Sequence, residues 1–320
     1  MGSIQSPYPP GIHVPSLTWF KSDSTQSVDW GLQERHLEFL IRSGIHGVVV
    51  AGTNGEAATL TPEEKCKLVR LTRSTAQKLG RPSLPITCGT FGGCTQAIIE
   101  DTKLAADAGA DYALVLVPSY FHFALDATAI VGFFQEVASV SPIPIIIYNF
   151  PGVASGLNVT SEMLETLGEH PNIVAVKLTC GTIASVARSA AKFGRADDDN
   201  PQFVALAGQS DWLVPCLSVG GAGSVTGLAN LYPKTCIEIF NLYRTGKRED
   251  AEKLQIQLSV VEWGFGKGGI NGTKWVVAKY LGYPEESAWC RRPYPKFVDE
   301  EKRAWINKQV KGLEIVEKAL

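Results

Sequence analysis

From residue 45 onward, short β-branched apolar runs alternate with longer amphipathic stretches. Seven runs, His46–Ala51, Leu84–Gly89, Tyr112–Val117, Ile143–Tyr148, Ile173–Leu178, Phe203–Ala207 and Ala222–Thr226, are apolar on both faces, as parallel strands covered by helices are. The spacing between them predicts helices over Glu63–Leu79, Thr95–Ala108, Thr128–Ser139, Ser161–Glu169, Ile183–Phe193 and Asp211–Gly220. Thr61-Pro62-Glu63-Glu64 announces the first of these as a capping box with proline at its first position. An earlier strand over Ile12–Leu17, with a helix over Glu34–Ser43, completes eight βα units without a linker. That rhythm predicts an α/β chain whose residues 12–246 form one closed (β/α)8 TIM barrel rather than an open doubly wound sheet. After residue 232 only helical patterns remain. Lys234–Thr245 reads as the eighth barrel helix, and Arg248–Val261, Thr273–Leu281 and Glu300–Ala319 as an appended C-terminal helical segment over 247–320. Apolar spacing there predicts buried Trp305, Ile306, Val310 and Leu313.

Composition narrows the partners. The 320 residues carry 30 Lys plus Arg against 32 Asp plus Glu, a net charge of −2. This balance lacks the dense positive face that nucleic acid or anionic lipid requires, and it points to small-molecule partners. Seven cysteines, an odd number with no CxxC pair, read as free thiols in a reducing compartment. The five histidines show neither HxH nor HExxH spacing, so no metal is expected. Neither a signal peptide, an Arg-rich transit segment nor an apolar run of about 18 residues is visible, which makes the expected location cytoplasmic with no membrane contact. Met1–Ser6 fits the loose myristoylation pattern but lacks a polybasic second anchor, and the sequons at Asn158 and Asn271 are silent without secretion.

Active sites of such barrels lie at the C-terminal ends of the strands. Polar residues gather there: Gly52-Thr53-Asn54-Gly55-Glu56, Pro118-Ser119-Tyr120, Tyr148-Asn149-Phe150-Pro151, Lys177, Gly208-Gln209-Ser210 and Gly223–Gly227. Lys177 stands inside an apolar strand, where desolvation favours the neutral amine that attacks carbonyls. The alternatives are a lysine at an exposed strand tip, or one paired with a carboxylate such as Glu56. Tyr148 ends a strand of aliphatic residues and either relays a proton through Thr53 or Tyr120, or caps the core. The glycine-flanked Gly52–Glu56 turn offers backbone N–H groups to a small anion. Gly220–Ser224 suits either a phosphate or close helix–strand packing.

Together, the GTNGE turn, the YNFPG segment, the lone Lys177 and the GGAGSVTGLAN stretch resemble the dihydrodipicolinate synthase and N-acetylneuraminate lyase family over roughly residues 14–281. The resemblance implies a pyruvate-dependent class I aldolase, a lyase that works through a Schiff base with neither metal nor organic cofactor. It implies that Lys177 forms the Schiff base, that Tyr148 relays the proton, that Thr53 links Tyr148 to a second tyrosine, and that Tyr120 is that tyrosine, supplied by a neighbouring subunit of a homotetramer. It further implies that Thr53, Asn54 and Gly55 bind the pyruvate carboxylate and that Gly208 and Val225 line the pocket.

The segment Tyr148–Gly156 lacks the arginine that lysine-pathway synthases use to hold the carboxylate of aspartate semialdehyde, and a bidentate clamp has no easy substitute. Thr53-Asn54 is closer to the turn of 4-hydroxy-2-oxoglutarate and 2-keto-3-deoxy-sugar-acid aldolases, and Ser155 supplies a hydroxyl suited to a polyol-like acceptor. The expected reaction is cleavage of a 2-keto-3-deoxy sugar acid, such as 3-deoxy-hexulosonate, to pyruvate and an aldehyde. Cleavage of 4-hydroxy-2-oxoglutarate comes second and dihydrodipicolinate synthesis third; a non-catalytic keto-acid-binding barrel is the remaining alternative.

Overall fold

The computed structural model describes residues 8–199 and 201–320, so the Met1–Ser6 pattern lies outside the described residues. Eight parallel strands close into a barrel in chain order: β1 (Gly11–Pro15), β2 (Gly47–Val50), β3 (Ile86–Thr90), β4 (Tyr112–Leu116), β5 (Ile145–Asn149), β6 (Ile173–Leu178), β7 (Val204–Ala207) and β8 (Gly223–Val225). The helices between and after them are α1 (Trp30–Arg42), α2 (Pro62–Lys78), α3 (Thr95–Ala108), α4 (Ala127–Val140), α5 (Ser161–Leu167), α6 (Ile183–Phe193), α7 (Leu213–Ser218) and α8 (Pro233–Arg244). The predicted TIM barrel is therefore present, with every strand where the apolar runs placed it. Closure pairs Gly11 with Gly223, where a Cβ on Gly223 would lie 2.0 Å from the Gly11 carbonyl oxygen. Close packing thus explains this part of the glycine-rich stretch, the second of the two readings above.

Local chemistry sets the helix starts. The Thr61 hydroxyl accepts from the Glu64 N–H while the Glu64 carboxylate accepts from the Thr61 N–H, closing the capping box at the start of α2. Asp29, Asp126 and Thr160 cap α1, α4 and α5 through their side-chain oxygens. Inside the barrel, Tyr8 fills the N-terminal end. Its hydroxyl bonds His13 Nδ1 and Thr87 Oγ1, and its ring meets Tyr112 edge-on at 4.8 Å. Packed side chains thus fill that end of the barrel interior among the described residues.

Beyond the barrel the helical run α9 (Arg248–Leu281) crosses the span for which sequence spacing predicted two separate helices. Its one non-helical residue, Gly269 (φ 57°, ψ −166°), divides it into two helices that meet at a kink, so two helices are present as expected, but they extend through 262–272 up to that glycine. The predicted Glu300–Ala319 helix is split into α10 (Glu300–Val310) and α11 (Glu314–Ala319) by a 3₁₀ turn at Lys311–Leu313. Ile306, Val310 and Leu313 are buried in the same apolar cluster as Ile12, Leu37 and Ile239. Trp305, expected to be buried, is only half-buried: its ring stands edge-on to Trp263 at 5.2 Å, and Trp263 is itself exposed. All seven cysteines are unpaired. Among the described residues, no helix is long and apolar enough to cross a membrane.

Candidate active site

Lys177 is the fifth residue of β6. Ile173, Val176 and Leu178 of this strand pack into the layer beneath the outer helices, while Ala175 faces the barrel interior, and Lys177 shares that inner face by strand alternation. The lysine is 4% exposed, which excludes the reading of a lysine at an exposed strand tip. Its register partner on β5 is Tyr148, and Nζ sits 4.3 Å from the centre of the tyrosine ring. Among the described residues, no carboxylate pairs with Lys177. Glu56, the acid that sequence reasoning offered as its partner, is held by Lys274 at 2.6 Å.

Tyr148 reaches across the barrel mouth to Thr53, its hydroxyl 2.9 Å from Thr53 Oγ1. The Gly52–Glu56 turn that carries Thr53 is bounded by two non-glycine residues in the left-handed region, Ala51 (φ 53°) and Glu56 (φ 55°). Such positions cost free energy and persist only when the surroundings hold them. Here, Glu56 is buried against the Lys274 ammonium and accepts from the Arg291 N–H at 2.9 Å, while the Gly55 carbonyl accepts from the Thr18 hydroxyl at 2.7 Å. The N–H groups of Glu56 and Ala57 turn onto the carbonyls of Thr53 and Gly52. Those of Thr53, Asn54 and Gly55 have no acceptor among the described residues, which leaves a nest of free donors suited to a carboxylate.

Thr53, Asn54, Tyr148, Lys177, Gly208 and Val225 line one cavity of about 340 Å³. Gly208 is required there by close approach, because a Cβ on it would fall 2.2 Å from Thr179 Oγ1. Three residues singled out from sequence do not line the cavity: Gly55 is buried within its turn, and Ser155 and Tyr120 stand elsewhere. Ser155 is exposed in the loop after β5 and does not line the cavity. That loop is pinned by Asn149, whose amide donates to the Val159 carbonyl and accepts from the Val159 N–H, and Ser155 rides on its outer turn. Tyr120 is 81% exposed and packs edge-on to Phe121, away from the Tyr148–Thr53 pair.

The cavity also holds residues that sequence reasoning did not single out: Thr179, Asp211, Glu262, Ile270 and Thr273. Thr179 Oγ1 is buried without a hydrogen-bond partner. Glu262 is buried and accepts from the hydroxyls of Ser210 and Thr226, one at each carboxylate oxygen. Burial, reinforced by the charge of Asp211, pushes its carboxyl up to about 7. A signal for it exists in the sequence. Leu258, Val261, Glu262 and Phe265 fall at i, i+3, i+4 and i+7 of α9, and an acid inside an apolar stripe needs an explanation.

A profile described as the dihydrodipicolinate synthetase family matches residues 9–312. A protein of Emericella nidulans named "Probable 4-hydroxy-2-oxoglutarate aldolase, mitochondrial" is 38% identical over 287 residues, 90% of this chain and 89% of its own. The L-threo-3-deoxy-hexylosonate aldolase of Hypocrea jecorina is 36% identical over 314 residues, 98% of each chain. A crystal structure of a dihydrodipicolinate synthase family protein from Coccidioides immitis superposes with a TM-score of 0.87 at 34% identity, covering 99% of this chain and 100% of that one. A closed barrel, a buried unpaired lysine on β6 and a match along nearly the whole length lead to one conclusion: the chain belongs to the dihydrodipicolinate synthetase family and is a pyruvate-dependent lyase.

Proposed function

We propose that the protein is a class I aldolase that cleaves a 2-keto-3-deoxy sugar acid, such as 3-deoxy-hexulosonate, to pyruvate and an aldehyde. The observation that carries this reading is the cavity itself, which joins Lys177, free of any carboxylate partner, to the Tyr148–Thr53 hydroxyl pair. Lys177 Nζ attacks the keto carbon, water leaves, and an iminium forms. The proton of the 4-hydroxyl enters the Tyr148–Thr53 relay, which returns it to C3 in the next step, while the C3–C4 bond breaks as the aldehyde departs and its electron pair passes to the iminium to give an enamine. Protonation of that enamine at C3 and hydrolysis by water release pyruvate and restore the lysine. The free N–H groups of Thr53, Asn54 and Gly55 hold the keto-acid carboxylate throughout.

The tail of the substrate is read from what faces it. Lys177 is the one cation among the residues lining the cavity, so no arginine or second lysine awaits a second carboxylate. This supports a neutral tail over aspartate semialdehyde or 4-hydroxy-2-oxoglutarate. The second reading, 4-hydroxy-2-oxoglutarate cleavage, is favoured by relatives that carry this name.

Tyr120 lies beside the exposed Phe121 and Phe123, an aromatic knob of the kind that subunit interfaces cover. We assign it to a neighbouring subunit's site in a homotetramer. The unpaired cysteines fit a reducing compartment such as the cytosol, and fractionation tests this against the mitochondrial location in some relatives' names. The deciding assay is pyruvate release from a panel of 4-hydroxy-2-oxo acids, run beside borohydride trapping with pyruvate. A carboxyethyl-sized adduct on Lys177 and turnover of a 3-deoxy sugar acid are expected. Absence of the adduct overturns the mechanism; an adduct without turnover of any acid in the panel overturns catalysis.

A further inference from the structure

α9 carries Glu262 over the mouth of the barrel, where it meets the loops after β7 and β8. Ser210 and Thr226, both fully buried, donate one hydroxyl each to its two carboxylate oxygens, and they contact each other at 2.9 Å. Glu262 lines the cavity, and a carboxylate oxygen accepts more than one hydrogen bond, so these two contacts do not exhaust its capacity to accept. Asp211 lines the same cavity, and Thr179 Oγ1 lies buried there with no partner. The cavity is thus furnished with two acids and an unused hydroxyl besides Lys177, the one cation among its lining residues.

The geometry points to Glu262, with Asp211 beside it, as the specificity-determining group of this site: it accepts hydrogen bonds from the hydroxyls of the aldehyde portion and repels a second carboxylate. This rests on the aldolase reading above and goes beyond it by naming the residue that selects a neutral, polyhydroxylated tail. The spare acceptor capacity of a buried carboxylate rewards a hydroxyl donor, and a like charge placed against it is penalised, so one group enforces both preferences. Glu262 acts by binding substrate; the proton relay stays with Tyr148.

The experiment compares kcat/KM for a 2-keto-3-deoxy-hexonate and for 4-hydroxy-2-oxoglutarate in the wild type, Glu262→Gln and Asp211→Asn. Assays run at pH 8, where Glu262 is ionised; the charged or titratable groups around it are Asp211, Cys236 and, across the cavity, Lys177. Glu262→Gln is expected to lower the ratio of the two kcat/KM values, neutral tail over carboxylate tail, roughly ten- to hundredfold. The change should lie mostly in KM, with borohydride trapping of pyruvate at the wild-type rate. An unchanged ratio in both variants overturns the assignment. Wild-type preference for 4-hydroxy-2-oxoglutarate would instead overturn the proposed substrate, while the shift in ratio still decides the role of Glu262. If Glu262→Gln fails to fold, Asp211→Asn at the cavity edge gives the same ratio, and no shift there counts against the proposal.

Discussion

Lys274 and Glu56 form a fully buried ion pair, 2.6 Å from Nζ to Oε1, that ties α9 to the turn carrying Thr53. Each charge has further support. Lys274 also donates to the Trp289 carbonyl and lies 4.6 Å from the centre of the Phe20 ring, and Glu56 accepts the Arg291 N–H. The pair leaves Lys177 as the lysine of this region without a carboxylate. It also anchors a turn whose flanking residues occupy the left-handed region.

Breaking the pair from one side should therefore damage both stability and the site. Lys274→Met leaves Glu56 buried and uncompensated, and a loss of about 3–5 kcal/mol is expected in urea unfolding. The double variant Lys274→Met/Glu56→Gln should recover part of that loss, giving a coupling term in a double-mutant cycle. Additive losses would show that the two groups act independently.

Tyr148→Phe deletes the hydroxyl that meets Thr53 while keeping the ring beside Lys177. Loss of a positioned proton relay lowers kcat on the order of 10²–10⁴-fold. Thr53→Val should give a smaller loss in the same direction. Borohydride trapping of pyruvate should persist in both variants, and kcat near the wild-type value for Tyr148→Phe would remove the tyrosine from the proton path.

Lys177→Ala should trap no pyruvate and turn over nothing. Mixed with Tyr120→Phe under conditions of subunit exchange, it should regain activity, because a hybrid carries some sites with both an intact lysine and an intact tyrosine. No rescue despite proven exchange would place the exposed Tyr120 outside the neighbour's site.

Glu262 makes stability depend on pH with a definite sign. Burial, and then the charge of Asp211, raises its carboxyl from an ordinary 4.5 to about 7 in the folded protein. A group raised on folding contributes fully below its unfolded value, and that contribution is lost as pH rises through the folded one. Stability from this group should thus fall between about pH 4.5 and 7, by about 3 kcal/mol at 1.36 kcal/mol per decade. The difference between wild type and Glu262→Gln in urea unfolding should trace that decline, and a flat difference across the window would contradict it.

The amino-acid sequence by itself determined the barrel. Seven short, β-branched runs apolar on both faces read as strands buried on both sides, and their even spacing by amphipathic helices leaves closure as the natural arrangement. It also isolated Lys177, because a cation within such a run needs a reason to be there. What it left open were choices between chemically equivalent partners far apart in the chain. Glu56 was a possible partner for Lys177, and only the path of α9 across the rim, which brings Lys274 to Glu56, decides against that pairing. Glu262 was one acid among many until the same helix placed it against Ser210 and Thr226 at the barrel mouth. Ser155, attractive as a hydroxyl next to the YNFPG segment, is turned outward by a loop that Asn149 pins. Local periodicity sets elements because each residue's own apolar or polar character is at stake. Pairing across the rim depends on where a kinked helix lands, which the tertiary packing alone decides.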